Sequence, residues 1–119
     1  MTHFMRLAPE PFASIAKGEK TYELRLFDEK RQQIRIGDEI IFSCTVQPDA
    51  QLCTRVTELL RFDSFATLYA ALPLTRCGYT EDELAKASPA DMERYYSPEE
   101  QKRYGVLAIG IALKDTAKE

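Results

Sequence analysis

The stretch Gly18-Glu19-Lys20-Thr21-Tyr22-Glu23-Leu24-Arg25-Leu26 marks a change of period in the chain. Before it, Pro9 and Pro11 sit where a first helical turn has no use for their missing amides. Phe12, Ile15 and Ala16 fall at i, i+3 and i+4, so a short helix is expected with Gly18 just past its last turn. After it, Tyr22, Leu24 and Leu26 alternate with Thr21, Glu23 and Arg25, the period of a strand with one apolar and one polar face. Lys20 breaks the alternation. A regular strand would set its amine on the apolar face, and a lysine does not enter a core unpaired. Either Lys20 still belongs to the loop, or a bulge rotates it to the polar side. Both outcomes bring Lys20, Glu23 and Arg25 together.

Working outward, His3 to Leu7 reads as a first strand, and Asp28 to Gln33 as a charged turn. Gly37-Asp38 is a turn signal before a strand from Glu39 to Cys44. The loop Gln47 to Gln51, with Pro48 and Asp49, leads to a strand from Leu52 to Leu60, and the two are expected to form a hairpin. The period then changes again. Phe65, Leu68, Tyr69 and Leu72 mark a helix that begins near Asp63 or Ser64 and stops at Pro73. Thr80 with Glu83, Ser88 before Pro89, and Ser97 before Pro98 each have the form of a helix start. Val106 to Leu113 reads as a closing strand, and the charged tail from Lys114 is expected to fray. This order predicts one α+β domain over residues 1–119: a small antiparallel or mixed barrel, a helix after its first strand, and a helical block inserted before its last.

A chain of 119 residues has room for one core, and 45% apolar with 29% charged residues is the balance of a folded protein. The longest apolar run, Val106 to Leu113, is well short of the ~20 residues of a membrane helix, and no secretion signal is visible, so a cytoplasmic protein without membrane attachment is expected. Three cysteines (Cys44, Cys53, Cys77) without a close pair, and the single histidine His3, do not make a standard zinc site. A carboxylate-bound divalent cation such as magnesium stays open. The net charge of −3 argues against a general polyanion coat. The distribution says more. Lys17, Lys20, Arg25, Lys30, Arg31 and Arg35 stand against four acidic residues between positions 17 and 35, whereas Glu81 to Glu100 holds seven acidic and two basic residues. The first stretch can furnish an anion-binding cleft or simply a solvated face.

The pattern Gly-x-Lys-x-x-Glu-x-Arg, filled by Gly18, Lys20, Glu23 and Arg25, resembles the signature of the ASCH domain family. The Pro-Glu-Pro-Phe helix before it, Arg31 after it, and Gly37-Asp38 before a strand agree with that resemblance. It implies a PUA-like β-barrel with a cleft lined by the motif residues and a role with RNA, nucleotides or modified nucleosides. It also implies a range of activities, from RNA cleavage to hydrolysis of the acetyl amide of N4-acetylcytidine. The branch with the second activity has Thr where this chain has Glu23, which counts against the same mechanism here.

Three readings follow. In the leading one the protein binds RNA or a nucleotide and cleaves single-stranded RNA. Lys20 and Arg25 would hold phosphate and stabilise the transition state, and Glu23 would accept a proton. Gly18 and Thr21 would border the ligand and Arg31 position it. Tyr96 and Tyr104 are candidates for base stacking, and Ser97 for a phosphate contact or, more simply, a helix cap. In the second reading the protein is a binding module in which Glu23 only orients the two cations. In the third it is an amidohydrolase acting on an acylated nucleoside. By parity Tyr22 is core, and His3 has no partner visible in the sequence.

Overall fold

The computed structural model describes residues 1–114. Among them, five strands run β1 Thr2–Leu7, β2 Tyr22–Leu26, β3 Glu39–Cys44, β4 Gln51–Phe62 and β5 Val106–Leu113, with helices α1 Pro9–Ala16, α2 Phe65–Ala71 and α3 Pro98–Tyr104. The strands form one sheet in the order β1-β3-β4-β5-β2. β1 lies parallel to β3, and the other pairs are antiparallel. The architecture is α+β, a mixed half-barrel whose two edge strands, β1 and β2, are not paired to one another.

β5 explains why the closing run is apolar without alternation. Leu107, Ile109 and Ile111 enter a core with Met5 and Leu7 of β1, Ile15 of α1, Ile40 and Phe42 of β3 and Val56 of β4. Val106 and Ala108 enter a second core with Leu24, Leu26, Phe65, Leu68 and Cys77. Successive side chains point to opposite faces, so a strand covered on both faces reads as a continuous apolar run. One core fills the hollow of the half-barrel and the other lies beneath the helical block. The expected hairpin forms, but β4 extends beyond Leu60 to Phe62.

A register shift between Val56 and Glu58 inserts an extra residue in β4 and bends it. Gly110 makes room for that bend, since a Cβ there would come within 2.9 Å of Glu58 Cβ.

The helical block packs on the outer face of β2 and β5 through the second core, with Tyr22, Tyr69, Met92, Tyr96 and Tyr104 at its margin. Two of its four expected helices, Glu81–Lys86 and Pro89–Arg94, are short 3-10 helices. Their start signals work as expected: Glu83 accepts from the Thr80 amide and Asp91 from the Ser88 amide. Tyr22 is half-buried rather than fully core, because its hydroxyl reaches the margin and donates to Glu58 Oε1 at 2.8 Å. Lys114 does not fray: its amide donates to the Cys53 carbonyl and its amine pairs with Glu39. Residues 115–119 of the expected tail lie outside the described residues.

Candidate functional site

The route from α1 into β2 settles the parity of Lys20. Gly18 adopts φ +77°, and the amides of Glu19 and Lys20 both donate to the Ser14 carbonyl, so the chain curls back over the end of α1 before the strand begins. Thr21 is pinned on both sides, its amide to the Arg76 carbonyl and its carbonyl to the Ile111 amide. Lys20 is therefore a loop residue. Its stem lies along Gly78, where a Cβ would meet Lys20 Cδ at 3.4 Å, and Gly78 has φ +110°, a backbone conformation that favours glycine.

The three motif side chains meet. Lys20 Nζ stands 2.9 Å from Glu23 Oε1, and Arg25 Nε stands 2.7 Å from Glu23 Oε2. The first contact is ionic in character, with no directed hydrogen bond on Oε1. Register explains why Glu23 is only 4% exposed. Glu23 is opposite Ile109 and Arg25 opposite Leu107, so the polar face of β2 is the face turned toward the hollow of the half-barrel. The expected polar face is thus an interior one.

Burial alone would push the Glu23 carboxyl up, but the Lys20 and Arg25 cations together outweigh it and hold its pKa below the ordinary range. Arg25 responds in reverse. Burial lowers its pKa, and the Glu23 charge with the Tyr96 hydroxyl beside it raises it by more. Tyr96 itself is raised, mainly by burial. Arg25 also donates from Nη2 to the Arg6 carbonyl at 3.2 Å, a side-chain bridge between the two unpaired edge strands.

Beside this cluster opens a cavity of about 350 Å³ lined by Phe4, Met5, Arg6, Arg25, Lys30, Arg31 and Ser43. It presents four cations and no carboxylate, and Phe4 is 62% exposed at its edge. Arg31 is held by Asp28, Nη1 to Oδ2 at 3.0 Å, while its buried Nε has no partner. Nothing in the local pattern singles out Phe4, Arg6 or Ser43. Parallel pairing brings them there, with Phe4 opposite Ile41 and Arg6 opposite Ser43. The excess of basic residues between positions 17 and 35 was the signal that could have found Lys30.

The remaining expected residues divide. Gly18 shapes the loop and Thr21 anchors it, and neither lines the cavity. Tyr96 reaches Arg25 from the helical block with its ring stacked on Phe65. Ser97 caps α3, its Oγ accepting from the Glu100 amide at 3.1 Å. Tyr104 lines a different cavity, described below. His3 does have a partner: its Nε2 lies 2.8 Å from Asp38 Oδ2, a contact spanning 35 positions of sequence. Among the described residues, no three His, Cys, Asp or Glu side chains stand together as ligands for a metal. None of the helices there is long and apolar enough to cross a membrane.

A family model of the ASCH domain matches residues 5–115. Two solved structures resemble the fold. Hypothetical protein PH0355, known from a crystal structure, is 31% identical with a TM-score of 0.79, the match covering 96% of this chain and all of that one. Protein PF0455 from Pyrococcus furiosus, known from a solution structure, is 31% identical with a TM-score of 0.69, the match covering 97% of this chain and 99% of that one. No curated relative matches at a significant level. The half-barrel is consistent with the small PUA-like barrel expected of a family that is in general RNA-associated. With nearly its whole length matched, the chain belongs to the ASCH domain family.

Proposed function

We propose that the protein is an RNA-binding module that grips single-stranded RNA at the cavity between β1 and the turn after β2. The observation that carries this reading is the lining: Arg6, Arg25, Lys30 and Arg31 converge with no carboxylate among them, next to an exposed Phe4. Phosphate oxygens suit such a set, because guanidinium and ammonium groups hold them through charge-assisted hydrogen bonds. An exposed ring offers a base a stacking surface without demanding a particular sequence.

Glu23 fits a positioning role. Both of its oxygens stand against cations, and its pKa lies below the ordinary range, so it is a weak proton acceptor near neutrality. Its work is to fix Lys20 and Arg25, the latter at the cavity wall.

The test is fluorescence anisotropy with a 5′-labelled oligouridylate, followed by a denaturing gel of the same sample. Wild type is expected to bind and to return the RNA intact, and Arg6→Ala/Lys30→Ala to bind at least about tenfold more weakly, the effect of losing two phosphate contacts at low salt. RNA cut in proportion to added protein, with or without EDTA, would replace this reading with the ribonuclease. Release of cytidine from N4-acetylcytidine would replace it with the amidohydrolase.

A further inference from the structure

A second cavity, of about 530 Å³, lies where β4 ends and β5 begins, lined by Phe27, Arg61, Phe62, Asp63 and the segment Lys102 to Gly105. Its chemistry repeats that of the first. Arg61, Lys102 and Arg103 bring three cations against the single carboxylate of Asp63, and among the described residues none of the three has an ion-pair partner. The Arg61 guanidinium lies 4.0 Å from the centroid of Phe27, and that of Arg103 lies 5.1 Å from the centroid of Tyr104. A guanidinium stacked on a ring keeps its in-plane N–H groups for an anion. The closing turn of α3 accounts for Lys102 and Arg103, since cations favour a helix C-terminus. It does not account for Arg61, which comes from another strand to the same opening.

The sheet register ties the two cavities together. Leu107 is opposite Arg25 on β2 and opposite Arg61 on β4. Arg61, Leu107 and Arg25 thus form one row across three strands with side chains on one face, the arginine backbones two strand spacings apart, about 10 Å. Phe27 has the parity of Arg25 and stands next to Arg61. Asp63, at the far end, is the only carboxylate among the residues lining the two cavities.

We infer that the second cavity is a further nucleotide subsite, with phosphate held by Arg61 and Lys102 and a base against Tyr104. A single RNA strand then crosses the rim of the half-barrel from the Arg6 cavity to the Arg61 cavity. The continuity of the strand rests on the function proposed above, whereas the subsite itself does not.

Anisotropy with 5′-labelled oligouridylates of four and twelve residues, at 50 and 200 mM KCl, separates the two claims. Four proteins are compared: wild type, Arg6→Ala/Lys30→Ala, Arg61→Gln/Lys102→Gln and Arg61→Lys. The substituted residues are exposed, and melting curves check that each variant is folded. Removing two phosphate contacts lowers the salt slope by about 1.4, so over this fourfold range wild type should lose about sevenfold more affinity for the twelve-mer than Arg61→Gln/Lys102→Gln does. Arg61→Lys should keep the wild-type slope. The four-mer should bind Arg61→Gln/Lys102→Gln to within about threefold of wild type, having the first cavity to occupy. An unchanged slope in Arg61→Gln/Lys102→Gln, with weakening in Arg6→Ala/Lys30→Ala, overturns the subsite and leaves the first cavity standing. The reverse pattern removes the first cavity and keeps the subsite. No binding of either oligonucleotide to wild type overturns both.

Discussion

Two sets of charges lie within nine residues of one another and are used in opposite ways. Glu23 and Arg25, on β2, are taken inside the half-barrel and closed off with Lys20 in an ion cluster. Lys30 and Arg31, in the turn after β2, face a cavity that contains no carboxylate. Cations in the cluster have spent most of their attraction on Glu23. Those at the cavity, even with Arg31 tethered by Asp28, still present a field to an incoming anion. A motif rich in Lys, Glu and Arg therefore marks where the scaffold is braced, and the proposed binding surface lies one side chain further out. Arg25 belongs to both, since it pairs with Glu23 and also walls the cavity.

The largest way to break this comparison is Glu23→Gln. It leaves two cations nearly buried without their counter-charge, and removal of one partner from a buried ion pair costs about 3–5 kcal/mol. The expected outcome is a fall of that size in unfolding free energy by urea titration. A midpoint close to wild type would mean that Glu23 does not brace the site, and the cluster would lose its separate status.

Acid sharpens the same point. The folded pKa of Glu23 lies below its unfolded value, so its ionised form contributes stability that is present above the unfolded pKa, ~4.3. That contribution is lost as pH falls through the folded pKa. Asp38, hydrogen-bonded by His3 and by the Arg35 amide, is lowered from 3.8 to about 2 and gives a slope of the same sign in any variant that keeps it. The difference in stability between wild type and Glu23→Gln isolates Glu23. It should be constant from pH 7 down to pH ~5 and shrink below the unfolded pKa. A gap that widens in acid would reverse the sign assigned to this carboxyl.

Ser97→Ala is the smallest effect. Loss of the cap on α3 should lower stability by about 1 kcal/mol in the same titration and leave the affinity for oligouridylate unchanged. A loss of RNA affinity without loss of stability would move Ser97 from the scaffold to the binding surface.

Much of the scaffold was legible locally. The alternation from Tyr22 to Leu26, the i, i+3, i+4 stripe of α1 and the serine caps each depend on neighbours a few residues away. Convergence of Lys20, Glu23 and Arg25 was legible for a related reason: burying an unpaired lysine is costly enough to restrict the backbone. Less legible were the places where the chain meets itself at long range. Arg6 and Ser43 face one another only through parallel pairing, His3 finds Asp38 across two strands, and Arg61 joins Arg25 only through Leu107.

The sequence by itself determined the elements, their order, their caps and the family, because those depend on local periodicity and on a short motif. What it left undecided was the side of β2 that turns inward. Alternation assigns residues to two faces but gives neither face a direction, and a strand with Leu on one side and Glu and Arg on the other would ordinarily show its charges to water. The tertiary structure decided otherwise. Pairing with β5, itself covered on both faces, set Leu24 and Leu26 beneath the helical block and turned Glu23 and Arg25 toward the hollow. There the two cations hold the carboxylate ionised despite its burial, and the cations left outside the cluster line the cavity.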